Sequence, residues 1–160
     1  MSSWVAAIES PQAPWGLDAV ASHTQWDVTH VLRDPRKVVT SIAKLLDPHP
    51  LPRVASGLLS FVREHCNVPA SHPVGQAVEF FNEWTELCRA AARRTVRLNQ
   101  VDAFFAEAYP AKASPLSRRP GRDVNTRGAL PPLTDEQLTR HCTPAALITF
   151  AREENYYHGH

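Results

Sequence analysis

The chain has 160 residues, of which 43% are hydrophobic and 21% are charged, and its formal net charge is +1 at pH 7. This length and apolar content predict a single globular domain over residues 1–160, and they leave no room for two full domains. Because 17 basic residues balance 16 acidic ones, no overall field favours nucleic acid or an anionic membrane. Any anion site must therefore be local.

The cysteines and the two ends of the chain indicate no metal and no membrane span. Cys66, Cys88 and Cys142 show no Cys-x-x-Cys spacing, so we expect neither disulfides nor structural zinc. No run of about 18 apolar residues occurs, and the first residues do not have the pattern of a signal peptide. The tail Tyr156-Tyr-His-Gly-His160 has metal-ligand residue types without a carboxylate partner, so no metal is expected there. We predict a cytoplasmic protein.

Residues 26–46 are predicted to form a strand, a turn and a helix in one run. Val28, Val31 and Leu32 have the character of a short buried strand, which should end at Arg33. Asp34 can then cap a helix whose first residue is Pro35. Apolar residues at three- and four-residue spacing predict one buried helix face before Asp47-Pro48 ends the helix. They are Val38, Val39, Ile42, Ala43, Leu45 and Leu46.

Arg33 and Ser41 are the candidate phosphate-binding residues in this run. Arg33 would lie at the carboxyl end of the strand, beside a helix N-terminus whose amide groups and dipole attract anions, with the Ser41 hydroxyl two turns along. This combination predicts an anion site. In the alternative interpretation, Arg-Asp-Pro only marks a strand-to-helix turn.

The run Leu32-Arg-Asp-Pro-Arg-Lys-Val-Val-Thr-Ser41 resembles the 3′-phosphate-binding motif of the cytosolic-type and bacterial P-loop sulfotransferases. In that family an Arg at a strand end is followed eight positions later by a Ser on the next helix. The resemblance implies that Arg33 and Ser41 hold the 3′-phosphate of 3′-phosphoadenosine 5′-phosphosulfate. It implies an α/β, partial P-loop (nucleoside-triphosphate-hydrolase-like) sulfotransferase fold, helix-rich with a small parallel sheet. The activity implied is sulfuryl transfer to a hydroxyl or amine.

The order of the next elements fits this resemblance. A second amphipathic helix is predicted over residues 54–65, and a longer one opens at Ser71 and Pro73. Its aromatic stripe, Phe80-Phe81-Asn82-Glu83-Trp84, is interpreted as core packing. Residues 94–99 alternate polar and apolar side chains and predict a second strand. Asn99 or Gln100 stands where the family often has Glu, which weakens the match there.

The last third of the chain is predicted to contain three helices and one long loop. A helix should start at Val101, and two short terminal helices should start at Thr134-Asp-Glu-Gln137, a capping box, and at Thr143-Pro144. Residues 110–133 are rich in proline and arginine, which predicts a mobile loop. The resemblance implies that Arg122 or Arg127 in this loop contacts the 3′-phosphate. The alternative is that these arginines are only solvated.

The residues that would perform sulfuryl transfer are less clear. His23 is the best-placed candidate for a catalytic base, although the family's catalytic His lies much farther ahead of the Arg, and His30 inside the strand is interpreted as structural. No Gly-x-x-x-x-Gly-Lys run occurs, so the family's P-loop is missing. We therefore expect an N-terminally incomplete domain, either truncated or completed by a separately encoded N-terminal segment. The expected protein partner is that segment or a second copy of the chain in a homo-oligomer.

Two further interpretations remain open. The chain could be a catalytically inactive nucleotide-binding module derived from a sulfotransferase. It could also be an unrelated α/β or mostly helical interaction protein in which the Arg/Ser pair is a coincidence. For a transferase, the acceptor would be a small molecule, a carbohydrate or a lipid, and the sequence does not distinguish these because the family's acceptor pocket is built from its most variable loops.

Overall fold

A computed structural model describes residues 28–47, 60–62, 64, 66–108, 110 and 131–159. This part of the chain is helix-rich and contains a small parallel sheet, in agreement with the α/β class predicted from the sequence. Residues 60–62 are also helical. In chain order the main elements are β1 (Thr29–Leu32), α1 (Pro35–Leu46), α2 (Pro73–Ala91), β2 (Arg94–Arg97), a 3₁₀ turn (Leu98–Gln100), α3 (Val101–Ala108), α4 (Asp135–His141) and α5 (Pro144–His158).

The two strands pair in parallel, and their carboxyl ends meet at one edge. The register places Leu32 beside Arg97. Arg33, which follows β1, therefore lies at the same edge of the sheet as the start of the 3₁₀ turn that follows β2. The second strand is shorter than the predicted 94–99, because the chain turns into this 3₁₀ turn at Leu98. Ligands of open parallel sheets bind beyond the carboxyl ends of the strands. This edge is therefore the candidate location of a ligand site.

Helix α1 begins and ends as predicted. The Asp34 carboxylate accepts a hydrogen bond from the amide of Lys37 (3.2 Å), and Pro35 occupies the first helical position. The buried face is centred on Val39, Ala43 and Leu46. Val38 and Ile42 pack against this core from partly buried positions.

Helix α2 is the central element, and α1, α4 and α5 pack against it. Phe80 and Phe81 are buried, and Phe81 makes an edge-to-face contact with Phe150 of α5, with ring centroids 5.8 Å apart. The interpretation of the aromatic stripe as core is therefore confirmed. The helix is capped by His72, whose Nδ1 accepts the amide hydrogen of Val74 (3.2 Å), and not by Ser71.

The two terminal helices carry the caps predicted for them. Thr134 and Gln137 form a reciprocal capping box at α4, and the Thr143 hydroxyl accepts from the amide of Ala146 at α5. Helix α5 ends at His158 and is capped by Gly159, whose φ of 85° is the left-handed conformation that glycine adopts readily.

Some predictions fall on residues outside the described ranges. They include most of the helix predicted over 54–65 and residues 111–130 of the predicted loop. At the end of that loop, Leu133 is buried against the core. All three cysteines are free thiols, and no helix in the described part has both the length and the apolar character to cross a bilayer.

Candidate functional site

Arg33 and Ser41 both lie on the solvent-exposed surface of the β1–α1 unit. Arg33 is exposed directly after β1, and Ser41 is exposed on α1. Lys37 and Lys44 are exposed on the same helix, four residues before and three residues after Ser41, so these three side chains share one helix face. The strand end and this face together present three cations and a hydroxyl to solvent.

The N-terminus of α1 offers fewer amide donors than the sequence suggested. Pro35 has no amide hydrogen, and the amide of Lys37 is already donated to Asp34, so among the first three helical residues only Arg36 has an amide to offer. The Asp34 carboxylate also adds negative charge, and it lies 3.8 Å from the Lys37 ammonium group. An anion would therefore be held here mainly by cationic side chains, and the helix terminus would contribute little.

The neighbouring strand adds an apolar and amide-bearing surface. Leu98 is 47% exposed, and Asn99 and Gln100 beside it are exposed. Leu32 and Arg97, the last residues of the two strands, are in register. These three residues therefore follow β2 at the same edge of the sheet at which Arg33 follows β1. Amide side chains can donate and accept hydrogen bonds, so this edge offers neutral polar contacts beside the cationic ones.

Arg36 holds the first turn of α1 against the C-terminal part of the chain. Its guanidinium makes a two-point contact with Glu154 of α5, with Nε 2.7 Å from Oε1 and Nη2 2.9 Å from Oε2. Its Nη1 donates to Oδ1 of Asp135 (2.7 Å) and to the carbonyl oxygen of Leu133 (3.1 Å). The hydrogen bond with Glu154 raises the pKa of Arg36 above its ordinary value, so this side chain is a permanent cation.

Thr40 completes this attachment one turn further along. Its hydroxyl donates to the carbonyl oxygen of Arg36 (2.7 Å) and accepts the amide hydrogen of Leu133 (3.1 Å). The amide and the carbonyl of Leu133 are therefore both bound by α1. Leu133, six residues after Arg127 in the sequence, is therefore attached to α1.

His30 is not available as a catalytic base. Its ring is buried, and neither nitrogen has a hydrogen-bond partner within the described ranges. Burial, and then the positive charge of Arg89, lower the pKa of His30 to about 4. The ring packs edge-on against Trp84 with centroids 6.1 Å apart. The interpretation of His30 as a structural residue agrees with this environment.

The remaining candidates from the sequence, His23, Arg122 and Arg127, lie outside the described residues. The structure therefore brings only Arg33 and Ser41 of the predicted set onto one structural unit. The described part of the chain contains no group of three histidine, cysteine or acidic side chains that could hold a metal ion.

A cavity of about 370 Å³ lies between the start of α2 and the end of α4. His72 and His141 stack face to face at its wall, with ring centroids 3.5 Å apart. Cys142 also lines it, but burial raises the pKa of this thiol to about 11, so it is protonated at neutral pH and is a poor nucleophile. Burial likewise raises the pKa of Cys66 to about 12 and that of Cys88 to about 11. The three thiols do not have the character of catalytic cysteines.

Sequence reasoning missed Arg36, Thr40 and Glu154. Arg36 and Glu154 are 118 positions apart, and no local pattern pairs them. The sequence shows several basic residues close to Arg33, but their number does not indicate which of them is exposed and which is bound to an acidic partner. The chain matches no protein-family model, no curated protein and no solved structure.

Proposed function

We propose that this chain is a sulfotransferase-like protein that binds the 3′-phosphate of 3′-phosphoadenosine 5′-phosphosulfate through Arg33 and Ser41. The proposal includes the finer fold expectation, that β1, α1, α2 and β2 belong to a P-loop sulfotransferase fold. The observation that carries it is the exposed position of Arg33 at the carboxyl edge of a parallel sheet, directly before a helix on which Ser41 is exposed.

The chemistry of this surface suits a phosphomonoester. A phosphate bears close to two negative charges and three acceptor oxygens at neutral pH, and Arg33, Lys37 and Ser41 are cationic or hydroxyl-bearing donors on one exposed unit. Guanidinium groups match phosphate oxygens with two parallel hydrogen bonds. The carboxylate of Asp34 opposes anion binding, so the guanidinium must supply most of the attraction.

Sulfuryl transfer requires further groups besides those that bind the 3′-phosphate. Negative charge builds on the leaving phosphate, and stabilising it requires preorganised donors near the 5′ end of the nucleotide, together with a base beside the acceptor. The sequence offers His23 as a candidate base, and it contains no Gly-x-x-x-x-Gly-Lys run to supply donors at the 5′ end. The proposal therefore rests first on nucleotide binding, which can be measured without an acceptor.

The test is calorimetric titration of the native chain and of Arg33→Ala with adenosine 3′,5′-bisphosphate and with adenosine 5′-monophosphate. A charge-assisted contact contributes roughly 1.5–3 kcal/mol, so we expect Arg33→Ala to weaken binding of the bisphosphate by about ten- to a hundredfold. Binding of the monophosphate should change little. The Ser41→Ala variant should lose less, about fivefold, because a neutral hydroxyl donor contributes less.

Arg140→Ala is the matched control, since it removes one exposed positive charge from α4, outside the β1–α1 unit that carries Arg33 and Ser41. It should leave the preference for the bisphosphate unchanged. Equal affinity of the native chain for the two nucleotides, or equal losses in Arg33→Ala and Arg140→Ala, would contradict the proposal.

A further inference from the structure

We propose that Arg36 is the positioning residue of the phosphate site, and that it acts through its two-point contact with Glu154, which fixes the first turn of α1 and with it the direction of Arg33. This inference rests on the function proposed above and adds to it a residue pair that would not touch the ligand.

The contacts of Arg36 bring together three parts of the chain. Glu154 belongs to α5, Asp135 is the first residue of α4, and Leu133 precedes both helices. Each contact lies at 2.7–3.1 Å, and the Glu154 side chain is only 18% exposed. A guanidinium that is bound on both of its edges has little freedom to move. The helix turn that carries it is therefore held in one orientation relative to α5.

Arg36 lies three residues after Arg33, with Asp34 and Pro35 between them. Pro35 is almost fully buried, and its ring restricts φ. The backbone between Arg33 and Arg36 is therefore stiff, so a displacement of Arg36 also displaces Arg33. The rest of α1 is attached to the core by Val39, Ala43 and Leu46. Loss of the Arg36 contacts should therefore loosen the first turn without unfolding the helix.

A substitution of Glu154 distinguishes a positioning role of Arg36 from a simple electrostatic effect on anion binding. Glu154→Gln removes a negative charge, so long-range attraction alone predicts tighter binding of an anion. The positioning role predicts the opposite, because the neutral amide weakens the contact that fixes the turn. Supporting residues of this kind typically change ligand affinity by 10- to 100-fold in metal sites. We expect an effect of about tenfold at this less buried position.

The experiment measures the affinity of each variant for adenosine 3′,5′-bisphosphate and for adenosine 5′-monophosphate, and the ratio of the two affinities is the readout. Glu154→Gln and Arg36→Ala should each lower this ratio by about tenfold. Glu154→Asp keeps the charge and can keep one of the two contacts, so its ratio should lie between that of Glu154→Gln and that of the native chain. A residue that only stabilises the fold would shift the unfolding temperature and leave this ratio unchanged.

Glu136→Gln is the matched control. It neutralises an exposed carboxylate on α4 that pairs with Arg140 and should leave the ratio at its native value. A Glu154→Gln variant that is folded by circular dichroism and binds the bisphosphate as tightly as the native chain overturns the positioning role. If Arg33→Ala still loses affinity in that case, the proposed function stands without it. A native chain that does not distinguish the two nucleotides overturns both.

Discussion

The Arg89 guanidinium donates a 2.6 Å hydrogen bond to Oε2 of Glu153, whose side chain is only 1% exposed. The same guanidinium lies 4.9 Å from the ring centroid of Tyr156, and the Tyr156 hydroxyl donates to the carbonyl oxygen of Thr95 in β2 (3.2 Å). One polar chain of contacts therefore joins the end of α2, helix α5 and the second strand of the sheet.

Removing Arg89 should destabilise the protein markedly. In Arg89→Ala, Arg152 would be the only residue in the described part of the chain that still contacts the buried carboxylate of Glu153 (3.3 Å), and its side chain is 57% exposed. Breaking a buried ion pair from one side costs about 3–5 kcal/mol. Because the Arg89 side chain is itself 31% exposed, we expect a loss of about 2–3 kcal/mol in the free energy of unfolding, measured by urea titration.

The control for this prediction is Arg140→Ala, which removes an arginine from an exposed pair with Glu136 on α4. Exposed pairs of this type contribute about 0.2–1 kcal/mol, so its urea midpoint should move little. Equal losses in the two variants would show that burial of Glu153 does not determine the cost.

The buried imidazole of His30 predicts a loss of stability in mild acid. Its pKa in the folded protein is lowered to about 4 from an unfolded value of 6.5, so the unfolded chain takes up a proton first. The stability that depends on neutral His30 is therefore complete above pH 6.5, decreases as the pH falls, and is lost by about pH 4. The difference in pKa corresponds to about 3 kcal/mol at most.

His30→Phe isolates this contribution. Phenylalanine keeps an aromatic ring beside Trp84 and has no nitrogen to protonate, so the stability of this variant should decrease less than that of the native chain between pH 6.5 and 4. Carboxylates titrate in both proteins and cancel in the comparison. The measurement is the urea unfolding free energy at several pH values, and identical pH profiles would refute the assignment.

Gly75 is predicted to be required by packing at the start of α2. An added Cβ would overlap the carbonyl oxygen of His141 and lie 2.8 Å from the Cβ of Ala70. Although alanine is better than glycine in a helix by about 1 kcal/mol, Gly75→Ala should lower stability by about 1–3 kcal/mol because the neighbouring backbone must shift.

The comparison that tests this idea is made at Glu86, an exposed position of the same helix. There, Glu86→Ala should be more stable than Glu86→Gly by about 1 kcal/mol in thermal unfolding. If Gly75→Ala is also more stable than the native chain, the close approach between α2 and the end of α4 does not constrain the protein.

Sulfuryl transfer by the 160-residue chain should be near background even when the nucleotide is bound. The sequence contains no Gly-x-x-x-x-Gly-Lys run whose backbone amides could cradle the phosphosulfate. Loss of a single preorganised donor costs about 10²–10³ in rate. The assay uses labelled donor with a panel of alcohol and amine acceptors. Robust transfer would mean that other groups, such as His23 with the arginines of residues 110–133, perform this role.

The sequence by itself determined the local features of the described fold. The cap by Asp34, the capping box at Thr134 and the cap by Thr143 were predictable because each involves groups within three residues of one another. The apolar spacing in α1 and α2 likewise identified helices and their buried faces. The predicted positions of Arg33 and Ser41, after a strand and on the following helix, depend only on this local order.

Only the tertiary structure decided which polar groups meet. Arg36 and Lys37 are adjacent basic residues, yet Arg36 is bound to Glu154 whereas the Lys37 side chain is 81% exposed. The structure also showed that Glu153 is buried beside Arg89 and that the backbone of α2 approaches His141 at Gly75. Such contacts depend on the path of the chain between residues as far as 118 positions apart. A sequence reveals the charge or size of a side chain, but its partner is set by how separate helices pack.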